Sequence, residues 1–124
     1  MLAAAAALTL AFAAPAAAHT ALISSDPAAD ASLSVGPARV SGTFNEELQP
    51  AFAAMTVVGP DGNLWSQGEP EVRGSVVSVG LRPLGPSGGY TVNYRVTSAD
   101  GHVVSGSWSF TVTVPSSGTP GPAV

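Results

Sequence analysis

Three stretches of this chain place an apolar side chain at every second position, and that alternation commits it to strands rather than helices. Val77, Val79 and Leu81 alternate with Ser78 and Gly80. Tyr90, Val92, Tyr94 and Val96 alternate with Thr91, Asn93, Arg95 and Thr97, and Trp108, Phe110, Val112 and Val114 with Ser109, Thr111 and Thr113. In extended backbone, successive side chains point to opposite faces, so each run has one face for a core and one for water. Weaker strand signals lie at residues 21–24, 39–44, 54–58 and 64–66. Pro27, Gly36-Pro37, Pro50, Gly59-Pro60-Asp61-Gly62 and the glycine-rich residues 85–89 punctuate the gaps. After residue 18 no stretch holds a helical period. About seven short strands at this spacing predict an all-β, immunoglobulin-like Greek-key sandwich or barrel.

Composition narrows the function classes. Only four Lys and Arg occur, against eight Asp and Glu, so the clustered positive charge of a nucleic-acid binder is missing. There is no cysteine, which excludes disulfides, thiolate metal sites and a Cys nucleophile. No Gly-x-Ser-x-Gly elbow or triad pattern is present, and the 85–89 segment lacks the lysine and spacing of a phosphate loop.

Residues 1–18 read as a signal peptide. They carry no charged side chain, they contain an apolar run around Leu8, Leu10 and Phe12, and they end Pro15-Ala16-Ala17-Ala18, an A-x-A cleavage pattern. Cleavage after Ala18 is expected, and a cut after Ala14 also fits the pattern. Removing 18 of 124 residues leaves 106, the usual size of one sandwich domain. That domain is expected over residues 19–114, with 115–124 a flexible Pro/Gly/Ser tail.

The mature chain would hold two histidines, His19 and His102. In extended chain, residues i and i+2 point the same way, so Asp100 and His102 can offer a carboxylate and an imidazole to one ion. Asp100-Gly101 is equally a hairpin turn signal, and a turn can display ligands. If the chain is cut after Ala18, His19 carries a free α-amine beside its own imidazole, a bidentate chelate; the plainer reading of His19 alone is a frayed, solvated first residue. Three nitrogens and one oxygen form a tetragonal set, which Cu(II) favours, whereas zinc accepts the same donors but prefers a tetrahedron. Glu46-Glu47 reads more simply as a solvated turn than as paired catalytic carboxylates.

These segments resemble the CopC (CopC/YobA-type) family of periplasmic copper-resistance proteins. The run His19-Thr20-Ala21-Leu22-Ile23-Ser24-Ser25-Asp26-Pro27-Ala28 is similar to the family's mature start, and Phe44-Asn45-Glu46 to its Phe-Ser-Glu strand. Gly89-Tyr90-Thr91-Val92-Asn93-Tyr94-Arg95-Val96-Thr97-Ser98-Ala99-Asp100-Gly101-His102 resembles its most specific segment, with Val104, Gly106 and Phe110 following in register. The resemblance implies an exported, periplasmic or extracellular monomer, not an enzyme, that holds one Cu(II) through His19, Asp100 and His102. It implies Glu46, or Glu47 in its place, as a supporting carboxylate, and a membrane copper transporter of the CopD type or another copper carrier as partner. Met55 is the only Met beyond the leader, so the Met-rich Cu(I) site of one branch is not expected. Nor is the membrane copper-import domain to which some relatives are fused. Two other classes fit parts of the pattern: a copper oxidoreductase sharing the N-terminal His with lytic polysaccharide monooxygenases, and a structural immunoglobulin-like module.

Overall fold

The computed structural model describes residues 19–124; the expected signal peptide lies outside the described residues. Eight strands follow in order: β1 (Leu22–Asp26), β2 (Ser32–Leu33), β3 (Arg39–Phe44), β4 (Ala54–Val58), β5 (Ser66–Arg73), β6 (Val76–Leu81), β7 (Gly88–Thr97) and β8 (Val103–Val112). One 3-10 turn, Pro50–Phe52, precedes β4. The strands form two four-stranded sheets, β1-β3-β6-β5 and β2-β8-β7-β4. Only the short β2–β8 pair is parallel. The fold is the expected immunoglobulin-like Greek-key sandwich. Among the described residues no helix is long and apolar enough to cross a membrane.

The alternation does the work expected of it. Val40 and Phe44 on β3, Val77 and Val79 on β6, Tyr90, Val92 and Val96 on β7, and Phe110 and Val112 on β8 all turn inward and are buried. Each such side chain contributes roughly 1.5–3 kcal/mol relative to exposure. Tyr90 stacks on its cross-strand neighbour Phe110 at 5.6 Å within one sheet, and Tyr94 meets Phe44 of the other sheet edge-on at 5.3 Å, tying the two sheets together. Met55 and Trp65 close the core.

Two strands escaped the sequence pattern. β5 extends the weak 64–66 signal to Arg73, although Gly68 and Pro70 interrupt it. It is an edge strand, and edges tolerate such residues because one side of the backbone needs no partner. β2 has two residues, too few to show a period.

The segment 115–124 departs from the flexible tail expected of its composition. It is extended and bonded to the body: Ser116 N–H donates to Gly85 O, Gly121 N–H to Leu64 O, Leu64 N–H to Pro122 O and Val124 N–H to Gly62 O. Glycine at 118 permits the close approach, since a Cβ there would meet Pro83 O.

The register positions the functional loops. β7 and β8 pair over ten residues with no irregularity, from Gly88↔Val112 to Thr97↔Val103. The turn at 98–102 therefore projects from one pole of the sandwich. β1 and β8 start at that pole and β3 and β7 end there, so His19, the 45–49 segment, Asp100 and His102 all belong to it.

Candidate metal centre

The 98–102 turn is organised by a buried serine. Ser98 has no exposed surface. Its N–H donates to His102 O at 2.8 Å and its carbonyl accepts from Gly101 N–H at 2.9 Å. Its Oγ accepts from the His102 N–H at 3.1 Å and donates to Asp100 Oδ1. Gly101 sits at φ +96°, a conformation that favours glycine. The segment is thus a tight turn that displays the side chains of Asp100 and His102.

Those two side chains are paired. Asp100 Oδ2 lies 3.0 Å from His102 Nδ1, and both side chains are more than half exposed. The Ser98 hydroxyl, and then the His102 ring, hold the Asp100 carboxyl below the usual carboxylate range. An anionic carboxylate at neutral pH is the form a metal requires. The 3.0 Å contact is that of a hydrogen-bonded ion pair, and it keeps a carboxylate and an imidazole nitrogen side by side.

The N-terminal segment is clamped rather than loose. The Asn45 side-chain amide donates to His19 O at 2.8 Å, and its carbonyl accepts from Ala21 N–H at 2.9 Å. Asn45 N–H donates in turn to Ala21 O at 3.1 Å. Thr20 is buried and donates its hydroxyl to Glu46 Oε2 at 3.0 Å. Of the two adjacent glutamates, Glu46 is the one whose carboxylate reaches this segment. Glu47 contributes its carbonyl, which accepts from Ala99 N–H at 2.9 Å.

Residues 45–49 therefore bridge the two halves of the site. At one end they hold residues 19–21; at the other, Leu48 bridges Ser98, Gln49 N–H donates to Thr97 O, and Gln49 Nε2 donates to Ser98 O. Among the described residues no group of three or more His, Cys, Asp or Glu is gathered at metal-holding range. Asp100 and His102 are the assembled part, and His19 lies beyond it, its nitrogen still joined to Ala18 in the chain as written.

Sequence reasoning missed Ser98, Asn45 and Gln49. Ser98 had a readable signal, a hydroxyl two residues before a carboxylate, which is a common local bonding pattern. Asn45 and Gln49 had none, because their partners are 24 to 49 residues away.

A family model described as the CopC domain matches residues 22–113. The chain is 29% identical over 98 residues to "Copper transport protein CutJ" of Bacillus subtilis (strain 168), covering 77% of this chain but only 18% of that protein. It is 30% identical over 102 residues to "Protein YobA" of Escherichia coli (strain K12), covering 77% of this chain and 79% of that one. Among solved structures it is similar to CopC from Methylosinus trichosporium OB3b, with a TM-score of 0.67 and 26% identity over 80% of this chain and 98% of that one. It is also similar to PcoC, titled a methionine-rich copper resistance protein from Escherichia coli. There the TM-score is 0.63, with 26% identity over 77% of this chain and 99% of that one.

Proposed function

The chain belongs to the CopC family, and on that premise we propose that it is an exported copper carrier or buffer that takes one Cu(II) at the 98–102 pole. Cleavage after Ala18 frees the α-amine of His19, which chelates the ion together with the His19 imidazole. His102 adds a third nitrogen and Asp100 an oxygen. Glu46, bonded to Thr20, steadies the N-terminal ligand from behind, as outer groups commonly do. The names of the relatives and structural neighbours, which speak of copper transport and copper resistance, support copper as the cargo. The carrying observation is the 45–49 segment, hydrogen-bonded both to residues 19–21 and to residues 97–99. It ties residues 19–21 to the turn that bears the other donors.

Two features favour Cu(II) over Cu(I). The donors are nitrogen and oxygen, and Met55, the one thioether beyond the leader, is 3% exposed in the core. Soft Cu(I) wants several accessible sulfurs. Transfer to a membrane copper transporter or a second carrier is the expected fate of the cargo. An oxidoreductase reading is weaker because Asp100 takes a position that oxygen would need. Among the described residues, moreover, Phe52 is the only largely exposed aromatic, too little for a carbohydrate face.

The decisive experiment adds one glycine before His19 in the mature protein. All side chains stay, but the nitrogen on His19 becomes an amide and the two-point grip is broken. Cu(II) affinity is expected to fall by about 10–100-fold or more, with a changed electron paramagnetic spectrum and an unchanged fold. Unaltered affinity and spectrum would remove His19 from the site.

A further inference from the structure

The outer side of β8 is unpaired along residues 103–107. The parity of the strand shows which backbone groups this leaves open. Ser109 O accepts from Asp30 N–H, Thr111 N–H donates to Ala31 O, and Thr113 N–H donates to Leu33 O. Odd-numbered residues of β8 therefore turn their N–H and C=O away from β7. The register runs to Thr97↔Val103 without a bulge, so the same holds for Val103, Ser105 and Ser107. β2 reaches only Thr111 and Val112, and among the described residues no strand, turn or side chain meets the backbone of those three.

The other edges of the sandwich are interrupted or covered, the five-residue edge strand β1 by a register shift between Leu22 and Ser24. β5 carries Glu69, Pro70 and Glu71 and a register shift between Gln67 and Glu71. β4 is covered where Trp65 N–H donates to Val57 O and the Ser66 hydroxyl accepts from Val57 N–H. Charge, proline, bulges and covering segments are the usual means of preventing edge pairing. Val103-Val104-Ser105-Gly106-Ser107 has none of them, and Val103 is 52% exposed.

We propose that this edge is a self-association surface whose occupant is the same edge of a second copy, paired antiparallel about a two-fold axis at Ser105. The edge is complementary to itself. Ser105 would face its own symmetry mate and Val103 would face Ser107, each pair exchanging both main-chain bonds, about six in all. Although the chain carries a formal charge of −4, no charged side chain stands on this segment, so like charges do not oppose one another there. Pairing ends at Ser107 because Ser109 is already engaged by Asp30. The result is one continuous sheet across two molecules, in place of the monomer expected from the sequence. Such an edge buries less than a standard interface, so the dimer is weak, with a Kd on the order of 10–100 µM.

Sedimentation velocity on the mature protein, from about 10 µM to about 1 mM, tests this. The wild type is expected to move from monomer to dimer. Ser105→Pro is expected to stay monomeric and still bind copper, because the N–H it removes does not serve the β7 ladder. Should circular dichroism show that this variant is unfolded, Ser105→Lys with Ser107→Lys replaces it, placing like charges across the two-fold with the same expected result. A wild type that is monomeric throughout overturns the proposal, as does a dimer that survives the edge substitutions or an edge that pairs only with a different protein.

Discussion

Ser98 shows how much of this site is carried by a residue with no surface of its own. Its backbone and hydroxyl fix the carbonyl and N–H of His102, the carboxylate of Asp100 and the amide of Gln49. The Asp100 and His102 side chains above it, the proposed ligands, remain exposed. Metal affinity and fold should therefore separate cleanly at these positions. His102→Ala is expected to cost more Cu(II) affinity than Asp100→Ala, since an equatorial nitrogen is lost in the first and water replaces the carboxylate in the second. Both should unfold at nearly the wild-type temperature; equal, unchanged affinity in the two would place the ion elsewhere. A second residue-scale consequence concerns Tyr90. Burial, and then the Asp61 carboxylate, push its phenol up to about 12, and its O–H donates to Pro86 O at 2.6 Å. A folded value above the unfolded one of about 10 means that the stabilisation is complete below pH 10. It is lost as pH rises toward 12. Ultraviolet titration should show Tyr90 ionising together with unfolding in that window, and Tyr90→Phe should remove the step.

Elements decide what these residues can reach. The β7–β8 hairpin delivers Asp100 and His102 because ten paired residues leave its turn no freedom of register. The 45–49 segment is not a strand, yet it joins the N-terminus to that turn through main-chain and amide bonds. At the opposite pole the 115–124 segment acts as a strap. Its bonds to Gly62, Leu64 and Gly85 hold it across the edge beside Trp65, whose ring lies close to Gly85. Deleting residues 115–124 removes those bonds, each worth about 0.5–1.5 kcal/mol net, against the ordering entropy that the deletion spares. The expected outcome is a loss of about 1–3 kcal/mol in denaturant unfolding, with tryptophan emission shifted to longer wavelength. Unchanged stability and emission would show that the strap is dispensable.

At the scale of the whole molecule, the sandwich is a frame whose proposed copper site would join a chain end to a hairpin turn. On the proposed site, copper joining residues 19 and 98–102 would bind only the folded state, so it should stabilise the fold by RT ln(1 + [Cu]/Kd), about 4 kcal/mol at a thousandfold excess over Kd. Scanning calorimetry of the cleaved protein should show the unfolding temperature rising with copper, and the glycine-extended protein should show a much smaller rise. An equal rise in both would mean that the amine contributes nothing. The sequence by itself determined the fold class, because period-two alternation gives each strand one apolar face, which only packed or closed sheets can cover. The pairing of Asp100 with His102 was also within reach of the sequence, since the two are two residues apart and need no long-range partner. Glu46 was visible but not separable from Glu47, since that choice rests on a hydroxyl 26 residues away. Only the tertiary structure decided the clamp of Asn45 on the N-terminus, the burial of Ser98, the docking of the tail and the open side of β8. Each of these depends on which backbone groups are already satisfied by distant chain, and hydrogen bonds between distant segments leave no periodic trace in a sequence.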